Sequence, residues 1–348
     1  MQEQCSEEKW RRFGRCLITT LLAGASVIAG ILLMLDPYGI SPVSWSKPRP
    51  LMDINARYMY PQVIRHGDHD SLVVGTSISR LMHPRDLNET FGGRFANLAM
   101  NGATAWEQIN VIRAFQNIRG APQTLIVGLD HTWCAADADE ATVTERDWPA
   151  WLWEGSGPSR LVHTINLPTL EIAVRQIGQV IGIEKPRFDS DGWGAYTPDE
   201  SLWDEAEIHQ TLWGGSEPVI KPVDPPYQPE PQEREQWRFP ALPWLDETLA
   251  ELPRDSRLAL VFMPVHITAQ PRPGSAAAAR EAACKADVAA IADRHGAAYV
   301  DFRVHSPVTR DDTMWWNRYY WRQHYGPHLI RKMADRTASA WRETASVE

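Results

Sequence analysis

Cysteine is scarce in this sequence, with four among 348 residues. That excludes a disulfide-stapled scaffold, so the fold has to rest on an apolar core. Cys5 and Cys16 fall in the N-terminal stretch, which leaves Cys134 and Cys284 in the body of the chain. An oxidising compartment would allow those two to pair, but two separately buried thiols are the expected state. Dense basic patches are also missing beyond the N-terminus, and the net charge is -9. Nucleic acid is thereby excluded as a main partner, because binding a phosphate backbone needs clustered Lys and Arg. No internal repeat is visible. The hydrophobic fraction of 43% and charged fraction of 23% are those of a folded protein, and the length suits one large domain or two small ones.

Tryptophan and proline are abundant instead, at 16 and 26. Many of the tryptophans lie outside the periodic apolar runs. Such a surface suits stacking on sugar rings or lipid headgroups, and the plain alternative is loop packing.

One long uncharged run stands out: Leu17 to Leu35 reads LITTLLAGASVIAGILLML. About 19 residues at 1.5 Å each cross a hydrocarbon core of roughly 30 Å. Lys9, Arg11, Arg12 and Arg15 precede the run, and Asp36 and Pro37 follow it. Positive flanks stay in the cytoplasm, so the chain from Asp36 onward is expected on the outer, periplasmic side of the inner membrane. A cleaved signal peptide is the competing reading. The run is long for one and ends without a small-x-small site, and Phe13-Gly14-Arg15 before Cys16 is no lipobox. The expected layout is a cytoplasmic N-terminus (1–16), a transmembrane anchor (17–35) and a linker with an N-terminal segment (36–70). A folded domain in two parts (71–184 and 241–348) then flanks an insertion (185–240).

Within the linker, Asp36 to Pro50 is Pro-rich and reads as extended chain; a polar, helical segment follows through Arg65. Buried strands are predicted at Ser71–Gly75, Arg94–Ala99, Thr124–Leu129, Arg257–Met263 and Ala297–Asp301. Helices are predicted at Ala103–Asn117, Ser275–Arg294 and Pro327–Trp341. Short apolar strands alternating with helices imply an α/β fold, a doubly wound parallel sheet with helices on both faces. Residues 185–240 keep neither a period of 2 nor one of 3.6 and read as an irregular insertion or lid.

Chemistry in open parallel sheets gathers at the carboxyl ends of the strands. There the sequence places Gly75-Thr76-Ser77-Ile78-Ser79-Arg80 after the first strand. A Ser on such a turn is exposed beside unpaired backbone N–H groups that can hold an oxyanion, or it simply caps the next helix. Asn97-Leu98-Ala99-Met100-Asn101-Gly102 closes the second strand, where Gly102 offers another N–H or makes an ordinary Asn-Gly turn. His324-Tyr325 precedes the last helix, at a place from which an imidazole returns to the same edge. Asp130 and His131 follow the third strand, either in the site or as a capped turn with an exposed His. Met263-Pro264-Val265-His266 after the fourth strand reads as pocket lining. His66-Gly67-Asp68-His69-Asp70 resembles a metal cluster in composition, but its Gly turn ahead of a strand argues against one. No metal and no cofactor is expected.

In their order and spacing, the Gly-Thr-Ser turn, the Asn-to-Gly segment and the His-Tyr pair resemble the SGNH/GDSL hydrolase superfamily. The anchor followed by Asp36-Pro37-Tyr38-Gly39 is similar to its membrane-anchored branch, the alginate O-acetyltransferase-like and D-alanyl transfer proteins. The resemblance implies Ser77 as nucleophile, His324 as general base, and Gly102 with the Ser77 N–H as oxyanion donors, with Asn101, Asp130 and His131 around the pocket. It implies transfer or hydrolysis of an O-linked acyl group on a cell-envelope or secreted polysaccharide, beside envelope polysaccharide machinery. Two positions depart from that pattern. Trp321 stands where the family has the Asp that orients the His, and Asp130 stands where it has an oxyanion-hole Asn; an ionised Asp donates no hydrogen bond. Asp301, Asp311 and Asp312 are alternative carboxylates for His324. A catalytically silent relative that binds glycan or an assembly partner is the rival reading, and an esterase acting on membrane lipid is a third.

Overall fold

A computed structural model describes residues 2–41, 51–52, 54–140, 142–154, 159–215 and 220–345. The chain divides into two compact units, residues 1–62 with 150–186 and residues 63–149 with 187–348.

The first unit is helical. It holds α1 (Gln2–Leu35), the start of α2 (Ala56–His66), and, further along the chain, α5 (Ala150–Trp153), α6 (Ser159–Val162) and α7 (Leu167–Val180). Within α1, Lys9–Leu35 is long and apolar enough to cross a membrane. Its residues 15–28 are exposed throughout, and cover begins only in the last two turns, where Leu32 is buried. Helix α7 supplies that cover. Beyond Leu35 the chain turns instead of running extended. The Asp36 side chain accepts the N–H groups of Ile40 (2.7 Å) and Ser41 (2.8 Å). The rest of the predicted linker, 42–50, lies outside the described residues. Residues 150–186 cluster with this unit.

The second unit is α/β. Strands β1 (Ser71–Gly75), β2 (Phe95–Asn97), β3 (Thr124–Leu129), β4 (Arg257–Phe262) and β5 (Ala298–Asp301) form one sheet, all parallel, in the order β2-β1-β3-β4-β5. Side chains alternate across a strand, so a sheet covered on one side only would show alternating exposure. β1 and β3 are buried at every position. Val73, Ile126, Val261 and Val300 pack with Leu87 and Phe91 of α3 (Pro84–Phe91) and with Leu329, Ile330 and Met333 of α13 (Gly326–Ala345). The alternate residues Leu72, Val74, Leu125, Val127, Leu258 and Leu260 are buried too. A second group of helices also contacts the strands: α4 (Ala105–Arg119), α10 (Ala241–Ala250) and α11 (Ala276–His295). Local chemistry sets the ends of these elements. Thr104 and Glu107 form a reciprocal capping box at the start of α4 (3.1 and 3.0 Å). Ser275 caps α11, and Gly296 ends it in the left-handed region at φ +63°.

The insertion is not structureless. It carries α8 (Glu205–Trp213) and α9 (Pro231–Gln236), and the short α12 (Pro307–Arg310) follows β5. Nor are the two body cysteines free. Cys134, in the turn after β3, is joined to Cys284 on α11 by a disulfide with Cα atoms 5.7 Å apart. The expectation of separate thiols is overturned. Each cysteine sits on an element packed at the same flank of the sheet, and this is a tertiary fact that spacing does not carry.

Candidate functional site

β2 and β3 lie on either side of β1, so the connection leaving β1 runs to one side, toward β2, and the connection leaving β3 runs to the other, toward β4. The carboxyl end of β1 is therefore the crevice where parallel sheets bind ligands. Ser77 sits there, half-buried, two residues past β1. Three contacts shape its turn. A Cβ on Gly75 or Gly128 would lie 2.2 or 2.0 Å from Ser79 Oγ, so glycines at both strand ends make the seat into which Ser79 drops. Thr76 Oγ1 donates to Asp130 Oδ2 at 2.5 Å. Asn97, from the end of β2, donates its amide to the carbonyls of Ser79 (3.0 Å) and Met82 (2.7 Å). The turn is thus pinned from β2 and from β3, and only Ser77 is left facing outward.

The immediate neighbours of Ser77 are tyrosines. The Tyr320 hydroxyl donates to Ser77 Oγ (3.1 Å), and the Tyr196 hydroxyl donates to the Ser77 carbonyl. The two rings meet edge to face at 5.3 Å. Arg80 lies 4.4 Å over the Tyr196 ring and donates to Asn101 Oδ1 at 2.7 Å, tying the Ser77 turn to the loop after β2. Gly102, next in that loop, is exposed at φ +59°, and nothing stands within 4 Å of where its Cβ would be. The N–H groups of Ser77 and Gly102 meet no backbone acceptor among the described residues.

His324 does not hydrogen-bond to Ser77. Its side chain is exposed, with Nδ1 3.6 Å from Glu200 Oε2. Glu200 is itself held by Arg322 Nε (2.7 Å) and the Gln323 N–H (2.9 Å), and Gln323 also reaches Thr197 (3.3 Å). The stretch Tyr196 to Glu200 therefore runs beside Tyr320 to His324, with Ser77 at the tyrosine end and the imidazole at the carboxylate end. None of the three alternative carboxylates serves His324. Asp301 pairs with Lys285 (3.0 Å), Asp311 accepts from Thr313, and Asp312 accepts from Trp213 and lies 2.7 Å from His209 Nδ1. Trp321 is fully buried and bridged to Trp315, so it is a core residue. Burial pushes the Tyr325 phenol up to about 12, which keeps it neutral inside the core.

Asp130 is buried and caps the turn that follows it, accepting from Thr132 N–H (2.9 Å) and Oγ1 (2.7 Å) as well as from Thr76. Its place is behind the Ser77 turn as a brace. His131 is exposed; both line a small cavity of about 170 Å³ beside the disulfide, with Arg280, Glu281 and Arg303. His266 is buried, with Nδ1 2.8 Å from Thr268 Oγ1 and Nε2 3.3 Å from Asp312. It does not line the larger neighbouring cavity of about 540 Å³, where Lys221, Arg272 and Arg318 gather around Trp213 and Ile267. The His66–Asp70 segment is dispersed in its bonding. His69 Nε2 meets the Ser190 carbonyl (3.3 Å), whereas Asp68 and Asp70 face Arg94. Among the described residues no group of three His, Cys, Asp or Glu side chains is arranged to hold a metal ion.

Spacing did not reveal Tyr196, Glu200 or Tyr320. Two of them come from the aperiodic insertion, and the third lies in a loop with no motif of its own. No protein-family model matches the chain, and no curated protein matches it.

Proposed function

We propose that this chain is a membrane-anchored, extracytoplasmic acyl-transfer enzyme on a doubly wound, SGNH-like sheet, acting on O-acyl groups of an envelope or secreted polysaccharide. The observation that carries the reading is the Ser77 turn. A hydroxyl stands at the crevice after β1, the N–H groups of Ser77 and Gly102 meet no backbone acceptor among the described residues, and the opposing segment brings an imidazole paired with a carboxylate. Ser77 Oγ attacks the acyl carbonyl, and its proton passes to His324 once that exposed imidazole turns onto Ser77 Oγ in place of Tyr320; the Ser77 and Gly102 N–H groups receive the oxyanion. The departing hydroxyl takes the proton, and an acceptor hydroxyl, of sugar or water, then releases the acyl group from Ser77 by the reverse sequence. Glu200 takes the part of the orienting carboxylate that Trp321 does not supply. A single apolar N-terminal helix preceded by Lys9, Arg11, Arg12 and Arg15 supports an extracytoplasmic position for this unit.

Full-length protein in detergent is expected to hydrolyse p-nitrophenyl acetate, and Ser77→Ala to abolish it. Glu200→Gln is expected to lower the rate by up to about 10⁴-fold, the loss seen when a triad loses its orienting carboxylate. Hydrolysis that survives Ser77→Ala rules out the assignment. One observation favours a second reading, a glycan-binding relative without catalysis: Ser77 Oγ is held by Tyr320 and not by His324. That reading expects no hydrolysis, together with glycan binding that weakens in Tyr196→Ala and Tyr320→Ala.

A further inference from the structure

Helix α7 carries apolar side chains on the wrong side for a soluble helix. Its buried face, Thr169, Ile172, Ala173 and Gln176, packs inward. On the opposite side Leu167, Leu170, Val174, Ile177 and, just past the helix end, Ile181 fall within roughly a quarter turn of one another at 3.6 residues per turn. All five are exposed, Leu167 by 81% and Val174 by 60%. Ile183, beyond the helix end, is also exposed, by 78%. A contiguous apolar face of this kind marks a surface made for something other than water.

Its location within the unit says what that something is. Helix α7 packs along the last turns of α1, the candidate membrane span. Gln176 donates to the Pro37 carbonyl (3.2 Å), and the Tyr38 hydroxyl meets Thr169 Oγ1 (3.1 Å). Pro37 and Tyr38 are the second and third residues beyond α1, where the chain leaves the bilayer. Trp151 sits edge-on to Tyr38 at 5.3 Å and stacks on His163 at 5.1 Å. Amphipathic rings of this type gather at headgroup level. With 14 residues α7 is about 21 Å long, too short to cross a core of roughly 30 Å. Its outer face is thus held at the height of the headgroup–acyl boundary, with Glu171 and Arg175 beside the apolar stripe.

We infer that α7 is an interfacial helix whose exposed face is embedded in the outer leaflet next to α1, so that this unit grips the membrane surface as well as crossing it. The inference rests on α1 being a retained span. The test uses the full chain with Cys5→Ser and Cys16→Ser, reconstituted in phosphatidylcholine vesicles. An environment-sensitive fluorophore is placed on one new cysteine at a time: Val174→Cys, Ile181→Cys, Glu171→Cys, and Leu22→Cys in α1 as reference. Labels at 174 and 181 are expected to be quenched by lipid carrying a nitroxide near the headgroup more than by one deep in the chain. This follows because an interfacial helix sits about 5–10 Å below the surface. The label at 171 is expected to answer to aqueous iodide. Iodide quenching at 174 and 181 equal to that at 171, with lipid quenching at 22 intact, overturns the inference alone. Protection at 174 that disappears on dilution of protein in lipid also overturns it, since a second copy then covers the face. Loss of lipid quenching at 22 overturns the anchor reading as well.

Discussion

Removing the Cys134–Cys284 bond is the perturbation whose size can be worked out from the chain. The bond closes a loop of 150 residues. In the chain-entropy account, releasing a loop of that length costs about 5 kcal/mol at 25 °C. Domains of this kind are stable by about 5–15 kcal/mol, so the loss is a large share of the total. With a urea slope of about 3 kcal/mol per molar, the unfolding midpoint falls by about 1–2 M. The assay is tryptophan fluorescence in urea on the full chain carrying Cys5→Ser and Cys16→Ser, oxidised, reduced with dithiothreitol, and with Cys134→Ser and Cys284→Ser added. Reduced and doubly substituted proteins should unfold together, well below the oxidised one. Equal midpoints for all three would refute the reasoning. So would two titratable thiols in unfolded, unreduced protein recovered from the membrane, and that result would also count against exposure to an oxidising compartment.

Three further outcomes follow from the second unit. Thr76→Val strips a hydroxyl from the buried Asp130 carboxylate and is expected to cost about 1–3 kcal/mol, read by urea unfolding; no change would mean that Asp130 does not brace the turn. Gly128→Ala drives a methyl into Ser79 and should destabilise by about 1–3 kcal/mol and lower any Ser77-dependent hydrolysis. Wild-type stability and rate would show that the seat is loose. Burial, partly offset by the Ser190 carbonyl, holds the His69 imidazole below its ordinary range. The unfolded chain then takes up this proton first, so stability should fall as pH drops from about 6.5 toward the lower folded value. His69→Gln should flatten that limb, and an unchanged slope would assign it to other groups.

The strands were legible because both of their boundaries are written locally. Ser71–Gly75 and Thr124–Leu129 are unbroken apolar runs with turn residues after them, and both appear in the structure with the same ends. Ser77 was legible for the same reason, as a hydroxyl on the turn that such a strand must end in. The segment around α7 is not legible in the same way, because it carries apolar residues on both its buried and its exposed sides, and periodicity reports that a face is apolar without saying what covers it. Glu200 and Tyr196 reach the site from a stretch whose shape is set by tertiary contacts, among them Trp203 Nε1 donating to the Trp315 carbonyl at 3.0 Å. The disulfide is not legible in the sequence, because nothing local distinguishes a cysteine that will meet another 150 residues away.

The Tyr196–Glu200 strip has a consequence for how such a protein changes over time. The sheet edge supplies the hydroxyl, and the inserted loop supplies part of what surrounds it, Tyr196 and Glu200. Those two contributions answer to different constraints. Substitution at Gly75, Thr76 or Asn97 disturbs the frame, whereas the insertion can exchange side chains or alter its length while the strands keep their register. Under the proposed acyl-transfer reading, selectivity is thereby free to drift on a fixed hydroxyl, and descendants of one ancestor can come to prefer different partners without rebuilding the core.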